Sequence, residues 1–213
     1  MYTNATASSA PGANAPLYDR CHNSTQREAS ALAGYTAWTT AGFPASQIVL
    51  GLPSYGYISK STATGLKQRS IAHLISEHPL LHVSESHASI VEVVNDDGGG
   101  EDGGQVQFNE LITQGALIRN EPKDSNDAVV YTSSGGFTRY WDDCSSTPFL
   151  HSPSIHQIIT YDDPLSLGMK AEFAARVGML GVNMFDVHGD STQWDLTDSV
   201  RRNLGLAHVP HSA

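Results

Sequence analysis

The chain has 213 residues, 39% of them hydrophobic and 16% charged, enough for one sizeable domain with its own core. Its formal net charge of −10 argues against nucleic acid or an anionic membrane as partner. No apolar run approaches the roughly 20 residues a membrane helix needs.

Residues 1–23 are rich in Ala, Ser, Asn, Pro and Gly and read as loop. Residues 3–12, TNATASSAPG, carry no signal-peptide pattern. Residues 24–41 read as a helix capped by Asn23 or Ser24, with Ala29, Leu32 and Thr36 on one face and Gly42 and Pro44 stopping it. Residues 47–57, QIVLGLPSYGY, read as one buried strand with Pro53, Tyr55 and Tyr57 on one face. Residues 58–160 are too long for a loop. They mix helix-like pieces (67–78 and 107–115) with strand-like ones (89–94 and 129–132). Residues 95–104, NDDGGGEDGG, read as an acidic loop without calcium-loop spacing, so no metal is expected there.

Residues 161–190, YDDPLSLGMKAEFAARVGMLGVNMFDVHGD, read as a turn, a helix and a strand. Asp163 before Pro164, or Ser166, is placed to cap the helix. Met169, Phe173, Val177 and Leu180 recur at helical spacing, with Lys170, Glu172 and Arg176 off that stripe. Gly181 has the backbone freedom to end the helix. Residues 182–187 form a short, mostly apolar strand, with Asp186, His188 and Asp190 at its end. Residues 193–206 read as a last helix capped by Asp195 or Thr197, with Leu196, Val200 and Leu204 along one face, and residues 207–213 as a tail.

The last stretch resembles the end of a glycoside hydrolase family 18 (chitinase) domain. The family reads YDDPxSxxxK, then FAxxxGxxG, then a strand with an Asp-rich exit. Here the matching residues are Tyr161, Asp162, Asp163, Pro164, Ser166, Lys170, Phe173, Ala174, Gly178, Gly181 and Asp190. The segment GANAPLYDRC (12–21) is similar to the loop after the family's sixth barrel strand, and residues 47–57 to its seventh strand. The resemblance implies an α/β fold: the C-terminal fragment of a TIM (β/α)8 barrel, its last two strands and their helices, with an α+β insertion domain. The implied organisation is barrel at 1–57, insertion at 58–161, barrel again at 162–206, and a tail at 207–213.

That family cleaves chitin, a β-1,4-linked N-acetylglucosamine polymer. The substrate's own N-acetyl group acts as nucleophile and one carboxylic acid as proton donor. The acid is the Glu of an Asp-x-x-Asp-x-Asp-x-Glu motif, and the 213 residues do not contain it. The resemblance therefore implies no catalytic residue in this chain. It implies substrate contacts by Tyr55, by Tyr57 where the family often has Arg, by Phe185 where it has Trp, and by Asn183 beside it. Trp141 and Asp142 of RYWDDC would line a groove wall. The implied partners are chitin or a chitooligosaccharide and an N-terminal barrel half. The alternatives are a non-catalytic chitin- or carbohydrate-binding protein and an inactive remnant. Each of these sugar contacts has a plain core-packing reading beside it.

Cys21 and Cys144, the only cysteines, are expected to pair in an oxidising compartment and to pin the insertion to the barrel rim. Asn4 and Asn23 begin N-glycosylation sequons. With the family, they point to a secreted parent protein. His73, His78, His82 and His87 lack metal-ligand spacing and read as a solvated face. Trp38 and Trp194 are expected in the core. No dinucleotide, P-loop or GxSxG motif occurs, so no cofactor is expected.

Overall fold

The computed structural model describes residues 11–22, 28–66, 89–95, 104–122 and 128–206. The sequons at Asn4 and Asn23, the four histidines between 73 and 87, the helix-like stretch 67–78, most of the acidic loop and the tail lie outside the described residues.

Residues 11–22 run as an irregular strap. Its carbonyls at Pro16 and Leu17 receive the amides of Ala31 and Leu32, and Ser30 Oγ accepts from Ala33 N at 3.2 Å. Helix α1 (Ala31–Thr40) therefore begins at Ser30, later than expected, because the strap and a serine cap satisfy its first amides. Gly42, at φ +94°, follows its end.

The stretch expected as one strand is two. Strand β1 (Val49–Pro53) pairs in parallel with β9 (Gly181–Phe185), whereas β2 (Tyr55–Lys60) enters a different, antiparallel sheet. Ser54 is the pivot. Its amide donates to Phe185 O at 3.1 Å, its carbonyl accepts from Phe108 N at 2.9 Å, and its hydroxyl donates to Asp186 O. These bonds turn the chain out of one sheet and into the other.

The second sheet has the order β3-β2-β8-β7-β6, with β3 at Gln105–Gln107, β6 at Thr138–Asp142, β7 at Thr147–Ser152 and β8 at Gln157–Thr160. A hairpin of β4 (Leu117–Asn120) and β5 (Val130–Ser133) stands beside helix α2 (Phe108–Thr113). Residues 89–95 are not in a strand. They are held instead by two glutamine side chains. Gln157 accepts from Val93 N and donates to Val93 O, at 3.2 and 2.8 Å, and Gln114 does the same at Val94, at 2.9 and 2.7 Å. Side-chain amides there replace the backbone partner a strand would need.

Helix α3 (Pro164–Arg176) starts where the sequence suggested: Asp163 accepts from Ser166 N at 2.9 Å, and Pro164 fills the first turn. The buried face differs from the expected stripe. Leu167, Ala171 and Ala174 are fully buried and Phe173 nearly so, Met169 is half-buried, and Leu180 is 68% exposed beyond the helix end. Lys170, expected off the stripe, is 2% exposed because its ammonium donates to the buried Asp162 carboxylate. Ser166 Oγ and Asn14 Nδ2 complete that carboxylate's shell at 2.6 and 3.1 Å. Burial pushes Asp162 above the usual carboxylate range, and Lys170 and Ser166 offset part of that push. Gly178, at φ +73°, ends the helix in place of Gly181, which already belongs to β9.

The core joins both parts. Leu52 of β1, Ile58 and Ile159 of the large sheet, Phe108 and Leu111 of α2, Tyr131 of β5, Leu167 and Ala171 of α3, and Leu196 and Val200 of α4 (Asp195–Asn203) form one cluster. Leu204 packs against it, as its helical spacing suggested. Neither Asp195 nor Thr197 is the acceptor that caps α4. Asp190 does so from outside, accepting from Ser191 N, Leu196 N and Thr197 N at 2.7 to 2.9 Å and from Thr197 Oγ1 at 2.6 Å. Trp38 and Trp194 are not core residues: both are exposed, and Trp38 meets Phe43 edge to face.

Candidate functional site

The parallel pair β1–β9 ends at Pro53 opposite Phe185. The chain then passes through Ser54 into β2, so Tyr55 and Tyr57 project beside the C-terminal ends of both parallel strands. Alternation along β2 keeps the two tyrosines on one face. Their rings meet edge to face at 5.9 Å, and Tyr55 meets Phe185 in the same way at 6.5 Å. Three of the sequence-derived site residues thus converge. Tyr55 is 6% exposed and Tyr57 half-buried, while Phe185 offers a ring that is 65% exposed. Asn183 lies two residues before Phe185 on the same open face of β9, packed beside Gly51. Val182 and Met184, of opposite parity, pack on the core. The Phe185–Asp186 peptide is cis.

Trp141 and Asp142 do not join this cluster. Tyr57, Thr160, Phe149 and Tyr140 are directly opposed across β2, β8, β7 and β6, so they share one face of the sheet. Trp141, next to Tyr140 in the strand, faces the other side. It is buried, with the Arg139 guanidinium 5.7 Å from its ring centre. Arg139 also donates to Asp163 Oδ2 at 2.6 Å. Asp142 is fully buried and serves the β6–β7 turn, accepting from Cys144 N at 3.3 Å, from Ser145 N at 3.2 Å and from Ser145 Oγ. Its geometry is that of a turn-forming carboxylate.

The carboxylates near the aromatic cluster are similarly spent. Asp186 accepts from Gly189 N at 3.1 Å, and Asp190 caps α4. The exposed His188 sits in the short 3-10 turn Val187–Gly189, and its carbonyl accepts from Asn109 Nδ2 at 2.7 Å. Among the described residues there is no group of three or more His, Cys, Asp or Glu that could hold a metal ion.

One site-positioning residue had drawn no notice in the sequence. Asn14 is buried in the strap, and its Nδ2 donates to Tyr55 O at 2.9 Å as well as to Asp162. A polar residue in an otherwise small, apolar NAPL run was the available signal. The strap itself is fastened at its far end. Leu17 N and Arg20 N donate to Ser145 O and Cys144 O, and a Cys21–Cys144 disulfide joins the strap to the β6–β7 turn. The Cα atoms of that pair are 5.3 Å apart, within the usual range for such bridges.

The arrangement is an exposed phenylalanine ring face met edge to face by one tyrosine ring, which in turn meets a second. It suits a ring-shaped ligand with one apolar face and a polar rim.

Comparison with known proteins gives this cluster a context. A chitinase-like effector of Moniliophthora roreri is 30% identical over 206 residues, 92% of this chain and 46% of that protein. The crystal structure of a chitinase from Rhizomucor miehei matches with a TM-score of 0.58 at 25% identity, over 92% of this chain and 49% of that one. Human YKL-39, described as a pseudo-chitinase with retained chitooligosaccharide binding properties, matches with a TM-score of 0.63 at 16% identity, over 92% and 46%. The chain thus spans about half the length of these relatives. The family model Glycosyl hydrolases family 18 matches residues 1–190, and the chain belongs to that family.

Proposed function

We propose that this chain is the C-terminal portion of a chitinase-like domain, the last two strands of a (β/α)8 barrel with their α+β insertion. Its part in that domain is to bind chains of N-acetylglucosamine, and on its own it binds them without cleaving them. The observation that carries this reading is the meeting of Tyr55, Tyr57 and Phe185 at the C-terminal ends of β1 and β9. Barrel enzymes place their substrates at that end of their strands. Phe185 supplies an apolar floor for a sugar ring, without the indole N–H that a Trp would add.

The absence of an Asp-x-x-Asp-x-Asp-x-Glu motif from the 213 residues supports binding over hydrolysis by this chain. Hydrolysis belongs to a parent domain that supplies the acid, acting by the substrate-assisted retaining route. The remaining barrel half is then the chain's natural protein partner. A pseudo-chitinase among the structural neighbours makes binding without cleavage a precedent within the fold. The Cys21–Cys144 disulfide supports an extracellular parent, since such bridges persist in oxidising compartments.

The test is retention of the purified chain on chitin beads, together with calorimetric titration with chitotetraose. Wild-type protein is retained and Phe185→Ala is not, and neither releases reducing sugar. Equal retention of the two proteins, or no retention of either, sinks the proposal; so does hydrolysis by the wild-type chain.

A further inference from the structure

Strand β2 has a neighbour on each side, and the two flanks of the aromatic cluster differ. On one side Thr160 of β8 is directly opposite Tyr57, and it is buried. On the other side β3 runs antiparallel, with Gln107 opposite Tyr55 and Gln105 opposite Tyr57. Directly opposed residues point to the same face of a sheet, with Cβ atoms about 4.5–5.5 Å apart. Both glutamines therefore share the face of the two tyrosines.

The two glutamines are not equivalent. Gln107 stands at the N-cap of α2 and packs under the turn that follows β9: a Cβ at Gly189 would collide with Gln107 Oε1 and with Ser54. Gln105 is exposed. Val106, between them, points the other way and is fully buried in the core. Ile58 N donates to Gly104 O at 2.8 Å, which carries the backbone pairing past Gln105. Core contact and backbone bonds thus hold β3 in place, and the Gln105 carboxamide projects beside Tyr57 as an exposed polar group. The carboxylates around the cluster are engaged elsewhere: Asp186 closes its own turn and Asp190 caps α4. The resemblance put a groove wall at Trp141 of β6. The strand order β3-β2-β8-β7-β6 instead sets β3 directly beside the tyrosines, with β6 on the far side of β8 and β7.

We propose that Gln105 is a specificity-determining residue of the carbohydrate site: its carboxamide hydrogen-bonds the acetamido group of the sugar unit lying against Tyr57, next to the unit on Phe185. This inference deepens, and rests on, the reading of the cluster as a site for N-acetylglucosamine chains. A carboxamide carries two N–H donors and a carbonyl acceptor. An acetamido group answers with a carbonyl acceptor and one N–H donor, whereas the amine of a deacetylated unit offers no acceptor once protonated. A site that hydrogen-bonds a ligand group discriminates against the analogue lacking it.

The test is calorimetric titration of the full chain with chitotetraose and with its fully deacetylated counterpart, the glucosamine tetramer, in mildly acidic buffer that protonates its amines. Gln105→Ala is expected to weaken chitotetraose binding about fivefold, the worth of one neutral hydrogen bond. Its melting temperature should stay within about 1 °C of wild type, because this side chain is exposed and Val106 anchors the strand. Gln105→Glu keeps the length but loses the N–H donors. It is expected to weaken chitotetraose and to tighten the glucosamine tetramer several-fold, since a carboxylate then faces the ammonium. A purely structural role for Gln105 would not exchange the two preferences. Equal chitotetraose affinity of wild type and Gln105→Ala, a loss that comes with a lower melting temperature, or no gain of the glucosamine tetramer by Gln105→Glu would each overturn the proposal. Binding lost in Phe185→Ala but indifferent to residue 105 removes this inference and leaves the carbohydrate reading standing. Failure of the wild-type chain to bind chitotetraose removes both.

Discussion

Asp195 fastens the β4–β5 hairpin to helix α4, and replacing it is the sharpest test of how these elements are joined. Its carboxylate lies at the start of α4 and accepts from Arg119 Nε at 2.7 Å and Arg119 Nη2 at 3.0 Å, both from β4. It also accepts from Tyr131 Oη at 2.6 Å, from β5, and from Ser191 Oγ at 2.9 Å. Burial alone would push this carboxyl up, but the bonds from Arg119, Tyr131 and Ser191 outweigh it and hold Asp195 below the ordinary carboxylate range. Asp195→Ala strips all four bonds. The Tyr131 hydroxyl is left buried without its acceptor, at about 1–3 kcal/mol. Arg119 loses its bidentate partner but keeps Glu121 at 2.6 Å, which moderates the loss. Breaking a buried pair from one side costs about 3–5 kcal/mol, and the retained Glu121 contact sets the expectation near the lower end, about 3 kcal/mol. At about 2–4 °C per kcal/mol for a chain of this size, Tm falls by about 6–12 °C.

The sign of the pH dependence follows from the lowered pKa. The stabilisation is present above the unfolded carboxyl value of about 3.9 and is lost as pH falls through the lower folded value. The gap between wild type and variant is therefore constant near neutrality and closes in acid. Thermal melts by circular dichroism between pH 2.5 and 7 measure it. A variant within 1 °C of wild type at pH 7, or a gap that widens in acid, refutes the reasoning.

Three further outcomes follow from the same contacts. Phe185→Trp is expected to tighten chitotetraose binding several-fold and Phe185→Ala to abolish measurable heat, both read by calorimetry, with melts unchanged because the ring is exposed. Replacing Cys21 and Cys144 by Ser opens a loop with a sequence separation of 123; this costs about 5 kcal/mol in the chain-entropy model and is measured by urea unfolding. Gly178→Ala places a side chain at φ +73° with open space around it, so backbone strain alone is felt, about 1 kcal/mol by urea midpoint.

The sequence conveyed the elements better than their boundaries. The YDDP run fixed the start of α3 because Asp163, Pro164 and Ser166 act within one turn, and local chemistry is visible locally. Lys170 was misread for the opposite reason. A lysine on a helix is normally solvated, and only the fold brings it to Asp162, itself bound by Asn14 from 148 residues away. The break at Ser54 was hidden too. QIVLGLPSYGY is mostly apolar and reads as one buried strand, and the turn at Ser54 is held by Phe185, Asp186 and Phe108, all distant in sequence. The resemblance implied a groove-wall position for Trp141, with a core-packing reading beside it. The registers of β2, β8, β7 and β6 put it on the face opposite Tyr57, a distinction of one residue in parity that no motif encodes.

The same parity argument separates Trp141 from the aromatic cluster, whereas Asp142, of the same parity as Tyr140, is kept from it by its burial and its bonds in the β6–β7 turn. Tyr55 and Tyr57 share a strand, so alternation alone puts them together. Phe185 reaches them because β1 and β9 pair in register and Ser54 ties the exit of one to the end of the other. Each link is a backbone bond or a strand period, and none depends on the identity of the ring at 185. A change of ring at 185 is therefore expected to leave the construction of the surface unaltered. Sugar affinity and fold stability should accordingly respond independently to substitutions at 185, and should respond together to substitutions at Ser54.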